Sequence, residues 1–127
     1  MTTALLLIAH GSREEDANAD LYHAVEGMRG GGRYALVEAA FLEIAEPTIE
    51  QAAADCVARG AQRIVLLPYF LSAGVHVRRD LAEIRDRLSG TFPGIEFRLG
   101  EPLGRHPLLL EVLDQRARDA QRPWASA

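Results

Sequence analysis

Four short apolar runs, each followed by a stretch of helical periodicity, constrain this chain more than any other feature. The runs cover residues 4–9, 35–41, 63–69 and 95–99. The first and third are almost continuously apolar, as expected of strands covered on both faces. After the first run come Ala17, Leu21, Val25 and Met28; after the second, Ile49, Ala52, Ala53, Cys56 and Val57. Val77, Leu81, Ile84 and Leu88 follow the third, and Leu108, Leu109, Val112 and Leu113 the fourth. Each set falls on one side of a helix. Strand and helix alternating in this way predict an α/β fold: a single three-layer domain with a four-stranded, mainly parallel sheet flanked by helices. The domain spans residues 1–120, and residues 121–127, which lack periodicity, form a loosely held tail.

Local signals mark the boundaries. Ser12-Arg13-Glu14-Glu15 has the pattern of a capping box, in which hydroxyl and carboxylate satisfy each other's backbone donors. Pro47 and Pro107 suit first helical positions, where no amide donor is needed. Gly60 and Gly90 suit helix ends, where a left-handed residue is easiest for glycine. Gly30-Gly31-Gly32 reads as a loop.

The bulk numbers exclude several classes. No run of apolar residues is long enough to cross a membrane. The first ten residues lack a basic segment, which argues against a secretory leader. The formal charge of −4 disfavours nucleic acid as a partner. Cys56 is the single cysteine, so no intrachain disulfide can form, which fits a reducing cytoplasm.

In open α/β sheets, ligands bind outside the carboxyl ends of the strands. Those ends carry His10-Gly11-Ser12-Arg13, then Phe41-Leu42-Glu43, then Pro68-Tyr69-Phe70 running on to Gly74-Val75-His76, and last Leu103-Gly104-Arg105-His106-Pro107. His10 and His76 together offer two imidazoles suited to Co²⁺, Fe²⁺, Ni²⁺ or Zn²⁺, with Glu43 as a carboxylate ligand or base. Taken singly, each also reads as a rim or surface residue. Arg13, Arg78, Arg79 and Arg105 fall beside these positions and suit a polycarboxylate, because guanidinium pairs bidentately with carboxylate; alone, each is an ordinary surface charge. Tyr69 and Phe70 form either a wall for a flat ligand or part of the core. Ser12, next to Gly11, weakly suggests an anion cradle, but no glycine-rich phosphate motif and no nucleophile elbow is present. His106 reads as a helix cap, His23 as a surface residue and Cys56 as a small core residue.

Taken in order, His10-Gly11-Ser12-Arg13, Phe41-Leu42-Glu43 with Pro47, Pro68-Tyr69-Phe70-Leu71 with Gly74-Val75-His76-Val77 and Asp80, and Leu103-Gly104-Arg105-His106-Pro107 resemble the small sirohydrochlorin cobaltochelatases. The resemblance implies the class II chelatase fold. Longer members hold two similar halves around one cleft, and this chain would supply one chelatase-like half-domain. It therefore implies a homodimer, a tetrapyrrole substrate and a divalent metal ion as co-substrate, Co²⁺ first, with Fe²⁺ or Ni²⁺ as alternatives, for cobalamin or sirohaem synthesis. It carries His10 and His76 over as metal-binding, catalytic histidines and Glu43 as an acidic residue beside the metal path. Ser12, Arg13, Tyr69, Phe70, Arg78, Arg79 and Arg105 would contact the substrate. No organic cofactor is expected. A non-catalytic carrier of metal or tetrapyrrole, and a phosphoryl-transfer enzyme using His10, are the readings from other classes.

Overall fold

The computed structural model describes residues 1–123; residues 124–127, most of the expected tail, lie outside it. Four strands, β1 (Thr3–Ala9), β2 (Leu36–Phe41), β3 (Arg63–Pro68) and β4 (Glu96–Leu99), alternate with four helices, α1 (Glu15–Gly30), α2 (Ile49–Ala58), α3 (Val75–Thr91) and α4 (Pro107–Gln121). The sheet order is β2-β1-β3-β4, and every pairing is parallel.

The reversal of direction after β2 decides the layers. A right-handed crossover from β1 out to β2 places its helix on one face; crossovers running the other way place theirs on the opposite face. Accordingly Leu21 and Val25 of α1 pack with Leu5, Leu7, Val37, Ala39 and Phe41. Residues of α2 and α3 pack on the other side with Ala4, Leu6, Ile8, Ile64, Leu66 and Phe97. Strand β1 feeds both cores through alternate side chains, so it has to be apolar throughout. In β3 the two faces differ: Ile64, Leu66 and Pro68 are buried beneath α2 and α3, whereas Val65 and Leu67 are half-buried on the side of α1.

Several local expectations are corrected. Helix α1 is preceded by Glu14 as N-cap with no side-chain cap, so no capping box forms at 12–15. The Asn18 carboxamide instead accepts from the Ser12 amide at 3.0 Å and donates to the Ser12 carbonyl at 2.8 Å. The capping box lies at α2, where Thr48 and Gln51 satisfy each other's amides. Thr48 therefore takes the N-cap position and leaves Pro47 outside the helix. Gly90 lies within α3 rather than at its end. Pro107 does open α4, and Gly60 follows α2 with a φ of +98°.

Candidate active site

The chain leaves β1 and β3, which are neighbours, toward opposite faces of the sheet, and a crevice opens where they part. His10 stands at that point, directly after β1 and exposed. Its ring stacks on Phe70, which follows β3, with centroids 4.5 Å apart and planes inclined by 27°. The loop after β2 is bound to the same spot by its main chain. The Leu42 amide donates to the Ala9 carbonyl and the Glu43 amide to the His10 carbonyl, both at 3.0 Å. Gly11 makes this approach feasible: at φ +100°, a Cβ there would lie 1.9 Å from the Glu43 carbonyl oxygen. Gly104 does the same on the far side, where a Cβ would meet the Leu71 carbonyl oxygen at 2.1 Å.

His10 and Glu43 line a cleft of about 270 Å³ whose other wall is α3, with Val77, Asp80, Glu83, Ile84 and Arg87. His76 is the second residue of α3 and exposed. It shares a helical face with Asp80, Glu83 and Arg87, which follow it at i+4, i+7 and i+11. His76 therefore sits at the carboxyl edge, at the top of the stripe that borders the His10 cleft, but outside the cleft lining. Among the described residues, no three His, Cys, Asp or Glu side chains are close enough together to form a cation site on their own. Glu83 and Arg87 are not singled out by the sequence. Their spacing from His76 is legible there, but only the packing of α3 against the loop after β2 makes it relevant.

A second, larger hollow of about 530 Å³ is lined by Leu71, Ser72, Ala73, Arg78, Glu101, Pro102, Gly104 and Arg105. Arg105 adopts φ +67°. Arg78 is paired with Glu101 at 3.1 Å and reaches the Ala73 carbonyl. Arg29, Arg59, Arg63 and Arg98, away from this edge, are all engaged with acidic partners. Arg13, Arg79 and Arg105 make no salt bridge among the described residues, and all three are exposed. Ser12 is tied down by its backbone, and its hydroxyl accepts from the Glu14 amide. Tyr69 and Phe70 do not form a common wall: Tyr69 packs with the α1 core and Phe70 with the opposite one, because consecutive residues of an extended segment point to opposite faces.

The other two histidines and the cysteine behave as their contexts suggest. His106 caps α4, its Nδ1 accepting from the Leu108 amide at 3.1 Å. His23 is exposed. Cys56 is wholly buried, and burial first, then Glu38 and Asp55, pushes its thiol up to about 11. No helix among the described residues is long and apolar enough to cross a membrane.

The CbiX family model matches residues 4–120. A chloroplastic sirohydrochlorin ferrochelatase from Arabidopsis thaliana is 37% identical over 88% of this chain and 50% of its own length. A sirohydrochlorin cobaltochelatase from Sulfolobus acidocaldarius is 34% identical over 91% of this chain and 90% of its own. Among solved structures, SirB from Bacillus subtilis with Fe³⁺ superposes with a TM-score of 0.86 at 30% identity, over 100% of this chain and 50% of that one. The chain thus spans about half the length of several curated relatives it matches.

Proposed function

Because the chain belongs to the CbiX family, we propose that it is a sirohydrochlorin chelatase, inserting a divalent metal ion into the tetrapyrrole. The observation that carries this reading is the meeting of an exposed imidazole, His10, with Glu43 and the His76 stripe of α3 at the switch point of the sheet. Insertion exchanges two pyrrolic protons for the ion while the ion sheds water. Neutral imidazoles can both bind the ion and accept protons, and Glu43 offsets positive charge beside them. His10 and His76 would hold the ion on its way to the macrocycle. Arg13, Arg79 and Arg105, free of salt bridges among the described residues, together with Arg78 and Ser12, would hold the acidic arms of the macrocycle. Co²⁺ is the proposed metal, with Fe²⁺ and Ni²⁺ as alternatives, since imidazole and carboxylate suit all three. The single, buried cysteine, Cys56, supports a cytoplasmic setting.

We also propose that the active form is a symmetric homodimer. Helix α4 buries no residue, and Leu108, Leu110 and Leu113 are 60%, 69% and 64% exposed. Beside it an apolar hollow of about 420 Å³ runs from Leu67 to Val112. A second half-domain would cover this face and close a cleft around a macrocycle.

A single-turnover absorbance assay with sirohydrochlorin and each of Co²⁺, Fe²⁺ and Ni²⁺ tests the chemistry. The protein should exceed the uncatalysed rate with at least one metal, and His10→Ala and His76→Ala should each lower that rate by roughly 10²–10⁴-fold. Binding of metal and tetrapyrrole with no acceleration would replace the chelatase by the carrier. Sedimentation tests the assembly: a monomer at micromolar concentration with full activity would end the dimer reading.

A further inference from the structure

A histidine that handles metal is ordinarily oriented by a hydrogen bond to its second ring nitrogen. His10 is not: among the described residues its imidazole joins no hydrogen bond, and its main-chain carbonyl alone is engaged, by the Glu43 amide. What meets the ring is the face of Phe70, 4.5 Å away and inclined by 27°. Phe70 is itself held fast. Its side chain packs against the core beneath α2 and α3. Its carbonyl accepts from Leu103 at 3.0 Å, and the preceding amide, Tyr69, donates to Ile8 at 2.7 Å.

We infer that Phe70 is the positioning residue for His10, fixing the plane of the imidazole by stacking in place of a hydrogen bond. This rests on the assignment of His10 to metal insertion. Stacking restrains the tilt of the ring while leaving both nitrogens at its uncovered edges. One edge is then available to the ion and the other to a proton acceptor. A hydrogen-bonded partner would occupy one of them. Phe70 thus acts through His10 rather than as a wall for the macrocycle.

The test compares Phe70→Leu, which keeps apolar bulk but removes the ring, with Phe70→Tyr, which keeps the ring. Aromatic pairs of this kind are worth enough to change a population about 2- to 12-fold. Phe70→Leu should lower kcat for metal insertion by about that factor with KM for sirohydrochlorin unchanged, and Phe70→Tyr should restore it. In a His10→Ala background, Phe70→Leu should have no further effect. The imidazole proton resonances of His10 should carry an upfield ring-current shift in the parent protein and in Phe70→Tyr, and lose it in Phe70→Leu. A raised KM with unchanged kcat would show that Phe70 contacts the macrocycle and would overturn the inference. So would additive losses in the double variant, or a His10 ring-current shift absent from the parent. Should the parent not metallate sirohydrochlorin at all, the functional reading fails by itself. The resonance shift and the affinity of each variant for Co²⁺ alone then decide the inference, a weaker affinity in Phe70→Leu supporting it and an equal one overturning it.

Discussion

Helix α2 buries Ile49, Ala52, Ala53 and Cys56 against the sheet, whereas α4, with an equally apolar stripe, buries nothing. The difference lies in where the chain goes after each helix. From α2 it must travel from the edge strand β2 across β1 to reach β3, so the helix is drawn over the centre of the sheet. Its small residues let it approach closely. Helix α4 instead follows β4, an edge strand of four residues. Leu108, Leu109 and Leu110 also point in three directions about 100° apart, so the sheet can half-bury Leu109 and leaves the other two exposed. Coverage of α2 is therefore a property of the topology, whereas α4 keeps most of its apolar residues exposed. The face beneath tells the same story, since its apolar β3 residues, Val65 and Leu67, are only half-buried.

Removing the same kind of side chain from both helices should give unequal losses. Ile49→Ala should cost roughly 2–5 kcal/mol in denaturant unfolding, from lost burial and the cavity left behind. Leu110→Ala, measured where the protein is monomeric, should cost less than about 0.5 kcal/mol. Equal losses would mean that α4 is covered within one protomer.

The caps provide a smaller contrast. Thr48→Ala should cost about 0.5–2 kcal/mol, because the Gln51 amide at the start of α2 loses its partner. His106→Ala removes one bond from an exposed helix and should fall at or below the low end of that range, with insertion activity retained. Loss of activity at an unchanged melting temperature would move His106 into the chemistry.

Leu113→Lys should dissociate the proposed dimer in sedimentation while shifting monomer unfolding by less than about 0.5 kcal/mol. A dimer that persists in both Leu113→Lys and Leu110→Lys would place the contact elsewhere.

A pH-dependent contrast concerns the thiol of α2. Folding holds Cys56 protonated up to about 11, above the ordinary 9.0. Its contribution to stability is therefore complete below pH 9 and declines between 9 and 11, where the unfolded chain gains a thiolate that the folded one resists. Native protein should resist a thiol reagent at pH 8 and react once unfolded. Prompt reaction of the native protein would show that α2 opens as readily as α4 is exposed.

Much of this was legible in the residues. The alternation of runs sufficed for the layers, and the positions of His10, Glu43 and His76 at strand ends sufficed to put them on one edge, because parallel strands present all their carboxyl ends together. Short-range signals were less dependable. Ser12 and Glu15 have capping-box spacing, yet Asn18 binds both polar groups of the Ser12 backbone and the helix starts later. Tyr69 and Phe70 are adjacent in sequence and separated by the sheet.

Sequence alone thus determined what each element is and which end of the sheet carries His10, Glu43 and His76, since period and chain direction are properties of a single strand of covalent bonds. Tertiary structure decided what those side chains meet: the Phe70 face on the His10 ring, the Glu43 carbonyl that leaves no room for a Cβ on Gly11, and the Asp80, Glu83 and Arg87 wall opposite. Contacts between segments some 30 to 70 residues apart depend on how the layers close on one another, and no local pattern encodes that distance.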